Sequence, residues 1–284
     1  MDNMHDSFVT ADGKKLFFQS WSPAGDPGMV IALVHGLGEH SGRYRHWAEK
    51  FCSEKMAFAA FDLRGHGQSE GRRGHIPSMD VALSDIGLFL EKVVTLFPGI
   101  PVVLYGHSLG GNLAVNYVIE RQSNLAGLII TSPWLRLSIP LPGYKKILAG
   151  LAGSLVPSIL QPNGLDTGYL SRDKNVAEQY KSDPLVHDRI SAGLFLSASR
   201  GGEKVVRMAG SINMPVLMMH GTADAITSAE GSKSFSDNTG DNVTLRLWDG
   251  FYHELHNEPE KDDVFSFIAG WLVNFIHPAI RQPD

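Results

Sequence analysis

The chain has 284 residues, of which 43% are hydrophobic and 19% are charged, and its formal net charge is −5. This composition is typical of a globular protein that buries a sizeable core, and it excludes a disordered chain. The negative charge, with no basic run longer than a pair, argues against nucleic acid as a partner. No stretch of about 18 uninterrupted apolar residues is found in the sequence, which argues against a transmembrane helix.

Two local features concern the cellular compartment. The first residues, MDNMHDSFVTADGKK, are polar and include no apolar signal region, which predicts a cytoplasmic protein. The single cysteine, Cys52, follows Phe51 in a helical pattern, so we expect a buried apolar side chain and no disulfide bond within the chain.

The first half of the chain alternates strand patterns with helix patterns. Residues 8–21 alternate in polarity around Asp12 and Gly13, which predicts a hairpin. Continuous apolar runs then predict buried parallel strands, and the stretches between them predict helices. The predicted strands are Met29–Val34, Ala57–Phe61, Val102–Tyr105 and Gly127–Thr131, and the predicted helices are Tyr44–Lys55, Met79–Phe97 and one from Gly110 onward.

After Pro133 this alternation stops for about eighty residues, which show no strand-like run and are divided by prolines. The pattern resumes with strands at Pro215–Met219 and Val243–Trp248 and helices near Ser228–Ser236 and Lys261–Phe275. The order predicts an α/β fold: a mostly parallel central sheet with helices on both faces and an inserted helical cap. We place the core at 1–133 and 206–284 and the cap at 134–205.

The stretch Pro101–Gly111, PVVLYGHSLGG, combines a strand, a tight turn and the start of a helix. Ser108 lies at the turn between Gly106 and Gly110, in a G-x-S-x-G pattern. Glycine at both flanks lets the serine adopt a strained turn that exposes its hydroxyl. Because such a pattern also arises by chance in a chain with 30 glycines, it needs an acid and a base further along the chain.

A serine nucleophile requires a histidine as general base and a carboxylate that orients this histidine. In open α/β sheets these groups lie in loops at the carboxyl ends of strands. The predicted strand Pro215–Met219 leads to Asp224, and the next strand leads to His253. We therefore predict Ser108 as nucleophile, Asp224 as the orienting acid and His253 as the base, in the chain order of nucleophile-elbow hydrolases.

Other residues of the same types compete for these roles. His256 is the rival base, and Asp249 and Asp241 compete with Asp224 as the acid. Four further histidines adjoin strand ends in the wrong chain position for a base and are expected to form loop hydrogen bonds: His35, His66, His107 and His220.

Acyl transfer also needs N–H donors for the negative charge that develops on the carbonyl oxygen. The N–H of Leu109, directly after Ser108, is one candidate. The other is the N–H of Leu37 in the loop His35–Gly38, which follows a predicted strand and is expected to face the serine turn. Alternatively, this HGLG segment is only a flexible turn between a strand and a helix.

Together these motifs resemble those of the monoacylglycerol lipase and lysophospholipase-like serine hydrolases, which have the α/β-hydrolase fold. The resemblance is carried by HGLGEHSGRY (35–44), FDLRGHGQSEGRRGH (61–75), YGHSLGG (105–111), HGTADAIT (220–227) and YHELHNE (252–258), and by LSRDKNVAEQYKSDPLVH (170–187) in the cap. It implies hydrolysis of carboxylic esters of single-chain lipids, above all monoacylglycerols. It also implies an acyl-serine intermediate and no metal or other cofactor.

The resemblance also assigns residues. It places the triad on Ser108, Asp224 and His253 and the oxyanion donors on Leu37 and Leu109. It further implies that three polar residues lie near the alcohol end of the substrate: Glu39, Arg43 and His256. The same triad would equally serve a lysophospholipase, a thioesterase, an acyltransferase or a short- to medium-chain carboxylesterase, because fold and triad do not fix the substrate. A relative that only binds ligands would be expected to lack a triad member, and none is lacking.

The early cap contains two apolar rows at i, i+4 spacing, which predict a helix that ends or kinks at Pro157. The rows consist of Ile147, Leu151, Leu155 and Ile159, and of Leu148, Ala152, Val156 and Leu160. They predict either a lid that covers an acyl tunnel and contacts micelles or membranes, or a face that packs on the core.

Overall fold

The described residues form ten strands. This computed structural model describes residues 1–121, 124–139 and 153–276. For residues 275 and 276 it describes the backbone only. The strands are β1 (Asp2–Val9), β2 (Lys15–Ser22), β3 (Val30–Val34), β4 (Ala57–Phe61), β5 (Val102–His107), β6 (Gly127–Thr131), β7 (Leu160–Pro162), β8 (Arg189–Ser191), β9 (Val216–Gly221) and β10 (Val243–Trp248).

Helices connect most of these strands. The α-helices are α1 (Arg45–Ser53), α2 (Met79–Leu96), α3 (Leu109–Arg121), α4 (Lys174–Ser182), α5 (Ala192–Met208), α6 (Ala229–Asp237) and α7 (Lys261–Trp271). Shorter 3₁₀ turns occupy Ser41–Tyr44, Thr167–Tyr169, Ala209–Ser211, Gly240–Asn242 and Leu255–Asn257, and a π-turn occupies Leu272–Ile276.

Eight strands form one sheet in the order β1-β2-β4-β3-β5-β6-β9-β10. The pairs β1/β2 and β2/β4 are antiparallel, and all the other neighbours are parallel. The hairpin turns at Gly13, whose φ of +80° is readily accessible only to glycine. The predicted α/β class is confirmed, and the carboxyl ends of β3, β5, β6, β9 and β10 meet at one edge of the sheet.

Both faces of the central strands are buried, which explains their continuous apolar sequences. Along β3, Val30, Ala32 and Val34 enter the core on one face, and Ile31 and Leu33 enter the core on the other. The first core includes side chains of α2, α3 and α5, and the second includes those of α1 and α7. Helices therefore cover the sheet on both sides, as the strand–helix alternation predicted.

The inserted segment differs from the prediction in one respect. It contains two three-residue strands, β7 and β8, which pair antiparallel. They escape sequence analysis because three residues are too few to show a period and because β7 ends in Pro162. The predicted boundary between 205 and 206 falls within α5, and the division into core and cap stays a prediction.

The apolar rows of the cap are only partly described. Ile147, Leu148, Leu151 and Ala152 lie outside the described residues. Of the remaining members, Leu155 is 77% exposed and Val156 and Ile159 are each 52% exposed. Within the ranges that the structure covers, no helix is long and apolar enough to cross a membrane.

The loop after β4 is anchored by a buried arginine. Arg64 donates through Nε and Nη2 to the Asp85 carboxylate on α2, at 3.0 and 2.9 Å. It also donates through Nη1 and Nη2 to Asp12 in the hairpin turn, at 2.6 and 2.9 Å. The Asp85 side chain is 4% exposed, whereas that of Asp12 is 56% exposed.

This difference in exposure predicts unequal costs when either carboxylate is removed. Asp85→Ala leaves buried positive charge without its enclosed partner and should lower the free energy of unfolding by about 3 kcal/mol. Asp12→Ala removes a solvent-screened partner and should cost less than about 1 kcal/mol. Urea unfolding of the two variants measures both values, and equal losses would contradict this interpretation of the anchor.

Candidate active site

The turn after β5 holds Ser108 in a left-handed backbone conformation, with φ +54°. Two hydrogen bonds fix it: the Ser108 N–H donates to the Thr131 carbonyl oxygen at 3.0 Å, and the Trp134 N–H donates to the Ser108 carbonyl oxygen at 2.9 Å. A non-glycine residue rarely adopts this conformation, and such strain persists only where the surroundings enforce it. The predicted strained turn is therefore present.

The flanking glycines are required by space. A Cβ on Gly106 would lie 2.6 Å from the Gly110 carbonyl oxygen, and a Cβ on Gly110 would lie 2.0 Å from the Val34 carbonyl oxygen. Both distances are shorter than any tolerable contact. The G-x-S-x-G pattern thus lets α3 start directly against β3 and the serine turn.

The structure brings the three predicted triad residues together at the carboxyl edge of the sheet. Ser108 Oγ lies 2.9 Å from His253 Nε2, and His253 Nδ1 lies 2.7 Å from Asp224 Oδ2. All three residues are buried. Because the carboxylate can only accept, Nδ1 carries the ring proton, and Nε2 presents a lone pair to the serine hydroxyl.

The Asp224 carboxylate is held by several donors. Its Oδ1 accepts from the N–H groups of Ile226 and Thr227 at 2.8 and 3.0 Å, and its Oδ2 accepts from the Thr227 hydroxyl at 2.9 Å. Burial alone would raise the pKa of Asp224, but His253 and hydrogen bonds from His220 and His253 hold that pKa well below its usual range. The acid therefore stays ionised.

The rival residues lie in other environments. Asp241 and Asp249 are exposed, and Asp249 accepts a hydrogen bond from the Thr222 hydroxyl at 3.1 Å. His256 is fully buried and stacks on Tyr44 with ring centroids 4.5 Å apart. Among the described residues, neither of its ring nitrogens has a hydrogen-bond partner. The structure thus brings His253 to the serine and leaves His256 in an aromatic stack.

All four remaining loop histidines form hydrogen bonds in these loops, as the sequence predicted, and His220 does so to the Thr227 carbonyl oxygen at 3.0 Å. His35 Nε2 accepts from the Leu63 N–H at 2.9 Å, His66 Nδ1 bonds the Arg64 carbonyl oxygen, and His107 Nδ1 bonds a threonine hydroxyl. The fourth, His220, contacts the Asp224 carboxylate. Sequence reasoning missed this contact, although the spacing of four residues in the HGTAD segment was its signal.

The HGLG loop packs against the serine turn, as expected. A Cβ added to Gly36 would lie 3.1 Å from Ser108 Cβ, so this loop and the nucleophile turn are in direct contact. Leu37 follows within this loop. Leu109 is the first residue of α3, and its N–H belongs to the initial helix turn, whose N–H groups have no acceptor within the helix.

Glu39 and Arg43 form a buried network behind this loop. Glu39 Oε1 accepts from the Gly36 N–H at 2.6 Å and from the Tyr44 hydroxyl at 2.8 Å. Arg43 Nη1 lies 2.7 Å from Glu39 Oε2, and the guanidinium binds both oxygens of Glu254 at 2.7 and 2.8 Å. Burial would raise the pKa of Glu254, but the Arg43 charge outweighs it and lowers that pKa. Sequence reasoning did not single out Glu254, since its partner lies 211 residues away.

The residues of the described ranges that come nearest to a metal-binding group are Glu39, Glu254 and His256. Each offers a ligand atom within 4.8 Å of the others. The Arg43 guanidinium already lies between the two carboxylates at hydrogen-bond distance. A positive side chain therefore bridges the two carboxylates.

A serine turn after the central strand of a mostly parallel sheet, with the acid and the base in the loops after two later strands, defines an α/β-hydrolase. Sequence comparison agrees. The family described as "Serine aminopeptidase, S33" matches residues 25–260. Human monoglyceride lipase is 34% identical over 93% of this chain and 88% of its own length. The chain belongs to the α/β-hydrolase family of the monoacylglycerol lipases.

Two further relatives extend the comparison. An abhydrolase domain-containing protein of Dictyostelium discoideum is 37% identical over 97% of this chain, and the chain spans 30% of the length of that protein. The crystal structure of Paleococcus ferrophilus monoacylglycerol lipase superposes with a TM-score of 0.81, at 35% identity over 96% of this chain and 99% of that one. The predicted fold and the predicted enzyme class, a serine hydrolase of carboxylic esters, are confirmed.

The electrostatics of the site predict how its histidines titrate. Burial would lower the pKa of His253, but the Asp224 carboxylate overrides it, so this pKa should lie above the usual histidine value of about 6.5. Burial and the nearby His253 lower the pKa of His107 to about 4. Histidine titration by NMR measures both, and Asp224→Asn should lower the pKa of His253 because the largest effect that opposes burial is lost. An unchanged His253 pKa in that variant would contradict the assigned ion pair.

Proposed function

We propose that this enzyme hydrolyses carboxylic esters of single-chain lipids, with monoacylglycerols as preferred substrates, through an acyl-serine intermediate. The observation that carries the proposal is the continuous contact from Ser108 Oγ through the His253 ring to Asp224 Oδ2, at 2.9 and 2.7 Å. The relatives named as monoacylglycerol and monoglyceride lipases support the choice of substrate class.

In the first step, the Ser108 oxygen attacks the ester carbonyl carbon while its proton moves to His253 Nε2. The C=O bond opens to a tetrahedral oxyanion, and Asp224 stabilises the imidazolium that forms. We assign the N–H groups of Leu37 and Leu109 as donors to this oxyanion. A well-placed donor of this kind lowers the barrier by about 3 kcal/mol.

In the second step, the oxyanion collapses, the bond to the alcohol oxygen breaks, and His253 gives its proton to that oxygen. The alcohol, glycerol in the case of a monoacylglycerol, leaves, and the acyl group stays on Ser108. Water then repeats the sequence: His253 takes a proton from the water, whose oxygen attacks the acyl carbon, and the returned proton restores Ser108 as the fatty acid departs.

We assign Glu39 and Arg43 to the alcohol side of the site through the buried network that supports the HGLG loop. Glu39 accepts from the Gly36 N–H and so holds the segment that carries Leu37. Arg43 faces a polar cavity of about 220 Å³ between the core and α4. The walls of this cavity consist of Arg43, His46, Val176, Gln179, Asp183 and Asn257. We propose that His256 packs on Tyr44 and in this way shapes the alcohol side of the active site.

We also propose that the cap contacts micelles or membrane surfaces without crossing them. The support is the exposure of four apolar side chains at the described edges of the early cap. These are Ile139, Leu155, Val156 and Ile159, which are 52% to 77% exposed. Exposed apolar surface is a common feature of lipid and protein contacts. The cytoplasmic location stays a prediction.

A hydrolysis profile of the purified protein tests this proposal. The substrates are monoacylglycerols, di- and triacylglycerols, lysophospholipids, acyl thioesters and p-nitrophenyl esters of graded chain length. We expect the highest kcat/KM on monoacylglycerols. Ser108→Ala should reduce every turnover by at least about 10³-fold, because the nucleophile is lost.

The matched control is Ser234→Ala, which removes the hydroxyl of a half-buried serine on α6 that bonds Arg136 and the Glu230 carbonyl oxygen, and it should leave the profile unchanged. A preference for lysophospholipids, for thioesters or for short soluble esters would replace the substrate assignment and keep the nucleophile. Turnover retained by Ser108→Ala would overturn the nucleophile itself.

A further inference from the structure

The triad carboxylate is shared by two histidines. Asp224 Oδ2 lies 2.7 Å from His253 Nδ1 and 3.1 Å from His220 Nε2. His220 belongs to β9, four residues before Asp224, and its side chain is completely buried. The second imidazole therefore approaches the acid from inside the sheet, on a rigid element, and is out of reach of solvent.

The neighbours of His220 fix which of its nitrogens carries the proton. Nε2 lies 3.1 Å from the carboxylate and 3.0 Å from the Thr227 carbonyl oxygen. Both of these groups can only accept, so Nε2 must be an N–H donor. Nδ1 lies 2.7 Å from the Ser232 hydroxyl on α6, which can donate to it. The ring is thus held between one helix and the triad acid.

The other donors to Asp224 do not by themselves fix the position of Oδ2. Two backbone N–H groups hold Asp224 Oδ1, while Oδ2 depends on side chains. The Thr227 hydroxyl has one hydrogen but two acceptors, Asp224 Oδ2 at 2.9 Å and the Ser132 carbonyl oxygen at 3.0 Å. The His220 Nε2–H is likewise shared, between Asp224 Oδ2 at 3.1 Å and the Thr227 carbonyl oxygen at 3.0 Å, but its ring is carried by β9. His220 is therefore a second side-chain donor to the oxygen that binds His253, and it limits rotation of the carboxylate.

We propose that His220 is a positioning residue, which acts through Asp224 to keep Oδ2 directed at His253 Nδ1. This inference rests on the proposed function, because it presumes that His253 is the base. A preorganised donor of this kind stabilises the carboxylate without reorganisation while the imidazolium forms. It should therefore affect the chemical step, kcat, and leave substrate binding unchanged.

Two substitutions of similar size and polarity separate the two contacts of the ring. In His220→Gln the side-chain amide nitrogen is separated from Cα by the same number of bonds as the histidine Nε2. This variant therefore keeps the donor to Asp224 and loses the Ser232 contact. In His220→Asn the amide stands in place of Nδ1, so the Ser232 contact is kept and the donor is lost. We expect kcat on a p-nitrophenyl ester to fall about 10- to 100-fold for His220→Asn, and less than about threefold for His220→Gln.

KM should stay within about twofold of wild type in both variants. Equal losses in the two variants, or a larger loss for His220→Gln, would overturn the positioning role and make His220 a packing residue only. A fall in kcat/KM that comes from KM alone would overturn it as well. Ser234→Ala, on the same helix as Ser232, serves as the matched control with unchanged kcat.

A measurement on the unmodified protein keeps the inference testable if either variant fails to fold. With ¹⁵N-labelled histidine, NMR should show His220 protonated on Nε2 and bare on Nδ1, and the opposite tautomer would overturn the proposal. The His253 Nδ1–H proton should shift in His220→Asn and remain near its wild-type position in His220→Gln. The same position in both variants would contradict coupling through Asp224.

Failure of this inference differs from failure of the proposed function. If Ser108→Ala and His253→Ala abolish turnover while His220→Asn matches wild type, only the positioning role is lost. If Ser108→Ala remains active, the proposed function itself is wrong, whatever the His220 variants show.

Discussion

The left-handed backbone at Ser108 is the constraint on which the site depends. A serine with φ +54° directs its hydroxyl away from the sheet, and this conformation persists only because β6 and the segment after it accept and donate at its peptide groups. The same turn demands Gly106 and Gly110, since a Cβ at either position would collide with backbone atoms. Close packing then brings the HGLG loop against Ser108, so one strained residue sets the relative positions of Ser108, helix α3 and the HGLG loop.

Two buried ionic groups surround this turn, and internal hydrogen-bond or ion-pair partners hold the charges of each. Asp224 faces two imidazoles and three further donors, and Glu39 and Glu254 share one guanidinium. Burying charge without such partners would be costly, because desolvation opposes the ionised form. In the first group, the negative charge of Asp224 would stabilise an imidazolium at His253. The second secures the backbone of the loop that carries Leu37.

The elements of the core followed from the sequence because central strands buried on both faces leave continuous apolar runs, as β3 and β4 show. The meeting of Ser108, Asp224 and His253 also followed, since chain order and the carboxyl ends of parallel strands limit the choices for the last two. Three other features were not predicted. Glu254 meets Arg43 across 211 residues, β7 and β8 are too short for a pattern, and the contact of His220 depends on how β9 turns into its loop.

The central claim is that the acyl group passes through Ser108, and trapping the acyl-enzyme tests it most directly. A p-nitrophenyl ester would be mixed with the enzyme and quenched in acid within the first turnover, and the intact and proteolysed protein would then be weighed by mass spectrometry. We expect a mass increase of one acyl group on the peptide that contains Ser108, and none in Ser108→Ala. An acyl group on another residue, or continued turnover without any acylated peptide, would contradict it.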